Sequence, residues 1–297
     1  MKDIIREIRA LAKDNVHIKN KDALSRLIDD MCKGGMGRLQ VISDFDKTIT
    51  KQHHEGAPHL SSFTMFSNMP AVAANEHYQN TVRGLRQKYY PIELDPHIPI
   101  ADKIKHMEDW WGMSEKAICG LKITQQDIDD VCVVSDPVLR DGSEEFFKEL
   151  SDQNVPVLVL SAGCGDIVQA VLKHRCVYHP NVKVVSNFLK FNPDGTIAGF
   201  KDKIIHIFNK NETALENTDF YQELAKRDNA IILGDSLGDA NMAQGMEHCR
   251  NVLKIGFLYE HIEHNLQQYM DTFDVVLVDD QTMEIPRAIF EYLRDFK

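Results

Sequence analysis

The sequence predicts an α/β fold, with a mostly parallel sheet covered on both faces by helices and a mainly helical insert after the first strand. Three observations predict it. From residue 136 onward, short apolar runs alternate with amphipathic stretches. One further apolar run, at 39–42, stands far upstream of the rest. Between them, over residues 51–135, His-rich and Met-rich loops alternate with helical periods, and β-branched runs are few.

The elements follow in order. Ile4, Ile5, Ile8 and Leu11 keep one helical period, and Leu24, Leu27, Ile28 and Met31 keep a second. Gly34, Gly35 and Gly37 end that second helix. The run at 39–42 then leads into Ser43-Asp44-Phe45-Asp46, which reads as a buried strand opening into a loop. Within the insert, 78–89 and 100–111 read as helices. Beyond it, 155–160 is a strand, 166–173 an amphipathic helix and 182–186 the next strand. Phe191-Asn192-Pro193-Asp194-Gly195-Thr196 is a hairpin-turn signal. Runs at 230–233, 252–255 and 274–278 complete the buried set. The expected division is a catalytic core of 1–50 and 136–297 and a substrate-selecting insert of 51–135.

Composition narrows the function. The chain has 297 residues, 43% of them hydrophobic, enough for a large core and an insert. A net charge of −11, from 34 basic and 45 acidic residues, argues against binding a nucleic-acid polymer. A small anionic substrate stays compatible if a metal or a lysine screens the site. No apolar run approaches the ~18 residues of a membrane span. The segment Met1-Lys2-Asp3-Ile4-Ile5-Arg6-Glu7 lacks a signal-peptide core. Cys32, Cys119, Cys132, Cys164, Cys176 and Cys249 contain no C-x-x-C pair and read as reduced cytosolic thiols rather than a secreted disulfide framework. A cytoplasmic monomer acting on a small molecule is expected.

In parallel sheets ligands bind beyond the carboxyl ends of the strands, so the residues after each apolar run carry the chemistry. Asp44-Phe45-Asp46-Lys47-Thr48 sets two carboxylates at i and i+2, suited to a nucleophile with a proton donor or to a hard cation. Its ordinary reading is an acidic loop with a capping aspartate. Ser161-Ala162-Gly163 offers a hydroxyl and backbone N–H groups at the start of a helix, a seat for phosphate; alone it reads as an N-cap. Lys210, in Phe208-Asn209-Lys210-Asn211, could balance a phosphate, and alone is a surface lysine. Gly234-Asp235-Ser236-Leu237-Gly238-Asp239 frames two aspartates four apart on a strand-to-helix loop, where a tight turn would not call for both acids.

Taken in order, these four resemble the signature of the haloacid dehalogenase-like phosphohydrolase superfamily, with Ile49 where Leu or Val is usual. The resemblance narrows to the cytosolic 5′-nucleotidase III (pyrimidine 5′-nucleotidase) family. Tyr89-Tyr90-Pro91-Ile92-Glu93, Val159-Leu160-Ser161-Ala162-Gly163, Val184-Val185-Ser186-Asn187-Phe188 and Leu253-Lys254-Ile255-Gly256-Phe257 are among the stretches that carry it.

That resemblance implies a Rossmann-like core with a helical cap. It implies Asp44 as nucleophile and Asp46 as the acid that protonates the leaving ribose oxygen and later activates water. Mg²⁺ would be held by Asp44, the Asp46 carbonyl and Asp235, with Asp239 orienting its neighbours. Ser161, the Ala162 N–H and Lys210 would hold the phosphate, and Glu93 and Ser114 would lie at the nucleoside. The chain also resembles the 7-methylguanosine phosphate-specific branch, which has an aromatic residue at Phe63 and Trp at Trp111. A cationic methylated base between aromatic faces gains roughly 0.5–2 kcal/mol. Implied substrates are 7-methylguanosine 5′-monophosphate and cytidine 5′-monophosphate. The alternatives are a nucleoside phosphotransferase using the same intermediate and a non-catalytic nucleotide-binding protein. The remaining conspicuous residues read as structural: His53 and His54 in a loop, Met65, Met69, Met107, Met113 and Trp110 in packing, Asp279-Asp280 in a solvated turn, and Cys164 as a small core residue.

Overall fold

The computed structural model describes residues 4–95, 97–211 and 219–296. In chain order its strands are β1 (Val16–His17), β2 (Leu39–Ser43), β3 (His53–His54), β4 (Ala57–Pro58), β5 (Val157–Cys164) and β6 (Val182–Asn187). They continue with β7 (Leu189–Phe191), β8 (Ile197–Phe200), β9 (Asn229–Gly234), β10 (Asn251–Leu258) and β11 (Val275–Val278). Every residue of β2 and β9 is buried, as strands covered on both faces require.

The main sheet runs β1-β11-β10-β9-β2-β5-β6. All its pairings are parallel except that of β1 with β11. That antiparallel edge went unread in the sequence because two residues cannot show a period. The registers Ser43↔Leu233 and Ser43↔Val159 set β2, β9 and β5 level at their carboxyl ends. The loops beginning at Asp44, Ser161 and Asp235 therefore open along one edge. This is the haloacid dehalogenase-like architecture expected from the loop order.

Within residues 51–135 lie helices Ser62–Asn68, Pro70–Ala73, Glu76–Leu94, Ile100–Ile118 and Gln125–Ser135. The two helices read from periodicity are present and longer than read; the other three were missed. Two apolar clusters hold these helices, and the long pair Glu76–Leu94 and Ile100–Ile118 reaches both, since its Tyr78 and Ile118 join the main one. Met65, Phe66, Ile128 and Val131 join the main apolar cluster together with Ile167 and Val171 of helix Gly165–His174. Leu85, Tyr89 and Met107 form a separate cluster with Trp110, Trp111 and Phe208. Trp110 stacks on Tyr89 at 5.9 Å, a packing role as expected, whereas Met113 is 42% exposed and packs little.

At the neck, the outgoing chain pairs with the returning one. Thr50 bridges Leu139, and the Lys51 N–H donates to the Val138 carbonyl at 2.9 Å. The Val138 N–H donates to His59 Nε2 at 2.9 Å while His59 Nδ1 donates to the Leu60 carbonyl, which fixes a neutral tautomer. His53 and His54 form β3 rather than a loop, and His53 pairs with Asp279. The β7–β8 hairpin turns through Asn192–Gly195, with Gly195 at φ 83. It docks on the insert through Gly120 N–H to the Ile197 carbonyl (2.8 Å) and Phe200 N–H to Glu115 Oε1 (2.8 Å). All six cysteines are free, and no described helix is long and apolar enough to cross a membrane.

Candidate active site

The loop after β2 is held by its own backbone. The Asp44 N–H extends the ladder to the Leu233 carbonyl (2.9 Å), and the Phe45 carbonyl accepts the N–H groups of Ile49 (3.0 Å) and Thr50 (3.1 Å). Lys47 adopts φ 63 to close the turn, a left-handed conformation that costs about 1 kcal/mol for a residue with a Cβ. Asp44 is 5% exposed, and the Asp46 carboxylate turns to Ser62, accepting from its N–H (2.8 Å) and its Oγ (2.7 Å).

Arg140 holds this loop from below. Its guanidinium, 1% exposed, donates to the carbonyls of Lys47 (2.6 Å), Thr48 (2.7 Å) and Asp280, and its Cζ sits 3.7 Å from the Phe257 ring centroid. Burial lowers its pKa to about 9, against the pull of Asp280. Asp280 is itself buried, accepting from the Thr282 N–H (2.9 Å) and Oγ1 (2.7 Å), so it is not the solvated turn residue expected.

Ser161 does not open a helix. β5 continues through Cys164 and the helix begins at Gly165, so the seat is a strand end rather than a helix N-terminus. The Ser161 Oγ accepts the Gly163 N–H at 3.0 Å, which aims it along the carboxyl edge. Asn187, at the end of β6, donates to the carbonyls of Ala162 (2.8 Å) and Ile205 (2.9 Å) and accepts from the Ile205 N–H (2.8 Å). It thereby ties the serine loop to the segment that carries Lys210.

Lys210 Nζ bonds Asp44 Oδ1, and also Asp239 Oδ1 at 2.8 Å, with every partner nearly buried. Asp239 further accepts from the Ser236 N–H (3.0 Å) and Oγ (2.7 Å), while Thr48 Oγ1 lies 3.5 Å from Asp235 Oδ1. Carboxylate oxygens of Asp44, Asp235 and Asp239 come within 4.8 Å of one another. When all three are ionised, these carboxylates carry two more negative charges than the one buried ammonium balances. Burial would strip Lys210 of its proton, but Asp239 and Asp44 outweigh it and its pKa rises. Burial pushes Asp44 up against the pull of Lys210, and pushes Asp235 well up with repulsion from Asp44 and Asp239 added. An all-oxygen donor set with a charge deficit of two fits a divalent cation.

The remaining expected residues lie on the insert. Glu93 and Ser114 are half-buried on the helix pair Glu76–Leu94 and Ile100–Ile118. Burial raises the Glu93 carboxyl against Lys103 and Lys210, so it lies within electrostatic reach of Lys210. Phe63 and Trp111 touch each other, with centroids 5.0 Å apart and planes tilted by 60°, and Phe200 closes the group at 6.4 and 6.3 Å.

Residues 47–294 match the family described as pyrimidine 5′-nucleotidase (UMPH-1). The chain belongs to this family. As a member of this 5′-nucleotidase family it is a phosphoric monoester hydrolase. It is 44% identical to the 7-methylguanosine phosphate-specific 5′-nucleotidase of Drosophila melanogaster over 97% of this chain and 90% of that protein. A crystal structure of cytosolic 5′-nucleotidase IIIB bound to cytidine superimposes with a TM-score of 0.92 at 43% identity, covering 97% of each chain. A phosphoserine phosphohydrolase-like protein from Francisella tularensis, at 16% identity and TM-score 0.50, covers 83% of this chain and 97% of that one and shares the fold alone.

Sequence reasoning missed three residues that shape the nucleotidase site: Ser62, Arg140 and Asn187. Asn187 directly follows an apolar run, so the rule that found Ser161 and Asp235 would also have found it. Ser62 and Arg140 follow no such run. The hydrogen bonds of Arg140 go to backbone carbonyls, which carry no residue identity for a pattern to register.

Proposed function

We propose that this nucleotidase hydrolyses nucleoside 5′-monophosphates with Mg²⁺ through an aspartyl-phosphate on Asp44. The carrying observation is the buried Asp44–Lys210–Asp239 arrangement beside Asp235, whose charge deficit suits a divalent ion. Asp44, Asp235 and the Asp46 carbonyl would hold the ion, which offsets repulsion between carboxylate and phosphate. Asp44 attacks phosphorus, and the bond to O5′ breaks as Asp46 gives its proton to that oxygen. Water then loses a proton to Asp46 and attacks phosphorus, which releases Asp44 and phosphate. Ser161, the Ala162 N–H and Lys210 hold the phosphate oxygens, and Asp239 holds Lys210.

Residues 51–135 act in this reading as the substrate-selecting cap, supported by the separate apolar cluster of its long helix pair. Glu93 and Ser114 read the base, with 7-methylguanosine and cytidine monophosphates as preferred substrates. A base between parallel aromatic faces needs about 7 Å, two contacts of about 3.5 Å. At 5.0 Å Phe63 and Trp111 must part to admit one. A cytoplasmic monomer is the expected working form; the free thiols and the cytosolic name of the structural relative support the cytoplasmic location.

A panel of cytidine, uridine, guanosine and 7-methylguanosine 5′-monophosphates, assayed for phosphate release with Mg²⁺ and with chelator, tests the reading. Turnover of the first and last that disappears on chelation is expected. Chelator-resistant activity would exclude the metal. Conversion of added nucleoside to its monophosphate faster than phosphate release would make the protein a phosphotransferase.

A further inference from the structure

Asp46, like Asp235, is not bonded by Lys210; its bonds come from the insert. Helix Ser62–Asn68 starts with Ser61 as its cap, and Ser62 occupies the first turn, where backbone N–H groups have no partner within the helix. That free N–H donates to Asp46 Oδ1 at 2.8 Å, and Ser62 Oγ donates to Asp46 Oδ2 at 2.7 Å. Both carboxylate oxygens are thus held by one residue. The hydroxyl is fixed in turn, because its oxygen accepts the Cys164 N–H at 3.2 Å and the side chain is fully buried.

Gly163 makes this approach possible. A Cβ on Gly163 would lie 2.1 Å from Ser62 Oγ and 3.0 Å from Asp46 Oδ2, so no side chain fits there. The glycine beside the phosphate serine therefore lets the first helix of the insert reach the loop after β2. Met65 and Phe66 of the same helix lie in the main apolar cluster, which anchors Ser62 to the core.

From this geometry we infer that Ser62 is a positioning residue that aims the Asp46 carboxylate during both proton transfers. The inference rests on the assignment of Asp46 as acid and base. A single hydroxyl serves both transfers: it donates to the carboxylate, and can accept from the carboxylic acid, while the Cys164 N–H keeps its oxygen in place. Losing this aim should slow the chemistry without weakening substrate binding, since Ser62 bonds none of the phosphate-holding residues.

The test is a double-mutant cycle between Ser62→Ala and Asp46→Asn, measuring kcat and KM for cytidine 5′-monophosphate and melting temperature. Ser62→Ala should lower kcat by about 10- to 100-fold, within the range of general acid–base effects, with KM changed less than twofold. In the Asp46→Asn background the same substitution should change kcat less than twofold. Ser62→Cys keeps the volume but weakens the donor, so it should repeat the kcat loss even if the alanine variant folds poorly. Equal fractional losses in both backgrounds, a loss confined to KM, or a near-normal kcat in the cysteine variant would overturn the inference. If Asp46→Asn itself keeps full activity, the acid–base assignment fails instead, and the two failures are told apart.

Discussion

The proposed phosphate end and the proposed base end of the site are built from different physics. At the phosphate end, Asp44, Ser161, Lys210 and Asp239 are each at most 5% exposed and joined by ion pairs and backbone bonds to the sheet. At the base end, Phe63, Glu93, Trp111 and Ser114 are half-buried on helices, and two of the aromatic rings rest against each other. In the proposed reading the first arrangement stands ready before substrate arrives, and the second rearranges to admit the base. A preset phosphate end gives the same chemistry to any monoester that reaches it, so selection falls to the end that moves.

The largest expected effect breaks the preset end. Asp44→Asn should lower kcat by at least about 10³-fold for every nucleotide alike. Its melting temperature should not fall, because one of three crowded carboxylates loses its charge. Near-normal phosphate release by this variant would remove the covalent mechanism.

Arg140→Ala tests whether the preset end depends on its hidden clamp. It deprives two buried carbonyls and one half-buried carbonyl of their donor, and should cost about 3–5 kcal/mol in chemical denaturation. Arg140→Lys should recover only part of that, since one ammonium cannot match the planar fork. A loss below about 1 kcal/mol in the alanine variant would mean the loop holds itself.

Trp111→Ala probes the moving end alone. It should lower kcat/KM for 7-methylguanosine 5′-monophosphate by about 10-fold and for cytidine 5′-monophosphate by less, because only the former base is cationic. Equal losses would sink the aromatic sandwich.

The smallest effect lies at the neck between the two regions. Burial lowers the His59 pKa against the pull of the Leu60 carbonyl, and its Nε2 accepts the Val138 N–H. A histidine whose folded pKa is depressed takes up its proton more readily when unfolded. Its neutral form therefore supports the fold above the unfolded value of about 6.5, and that stability falls as pH drops through 6.5 toward the folded pKa. His59→Gln should flatten this acid limb in thermal denaturation between pH 7 and pH 5. An unchanged limb would place the sensitivity elsewhere.

Much of this could be read without coordinates. The loops at Asp44, Ser161 and Asp235 follow apolar runs, and parallel pairing brings the ends of adjacent strands to one edge whatever the side chains are. A strand's burial on both faces is likewise written into its local pattern. The aromatic pair Phe63 and Trp111, named from resemblance, proved to be neighbours, although their contact with Phe200 was not anticipated.

Tertiary structure alone decided the rest. Helix Gln125–Ser135 has its apolar face in Ile128, Val131 and Cys132, yet only packing shows that this face belongs to the main cluster rather than to that of Leu85, Tyr89 and Met107. The two bonds that orient Asp46 come from a backbone N–H and a hydroxyl in a different helix, and need an empty position at Gly163. Arg140 reaches back 92 residues to grip a carbonyl. Periodicity is a property of neighbours along the chain, so it fixes strands, helices and the edge where loops gather. Hydrogen bonds to backbone groups depend on distance in space, and that distance exists only once the chain has folded.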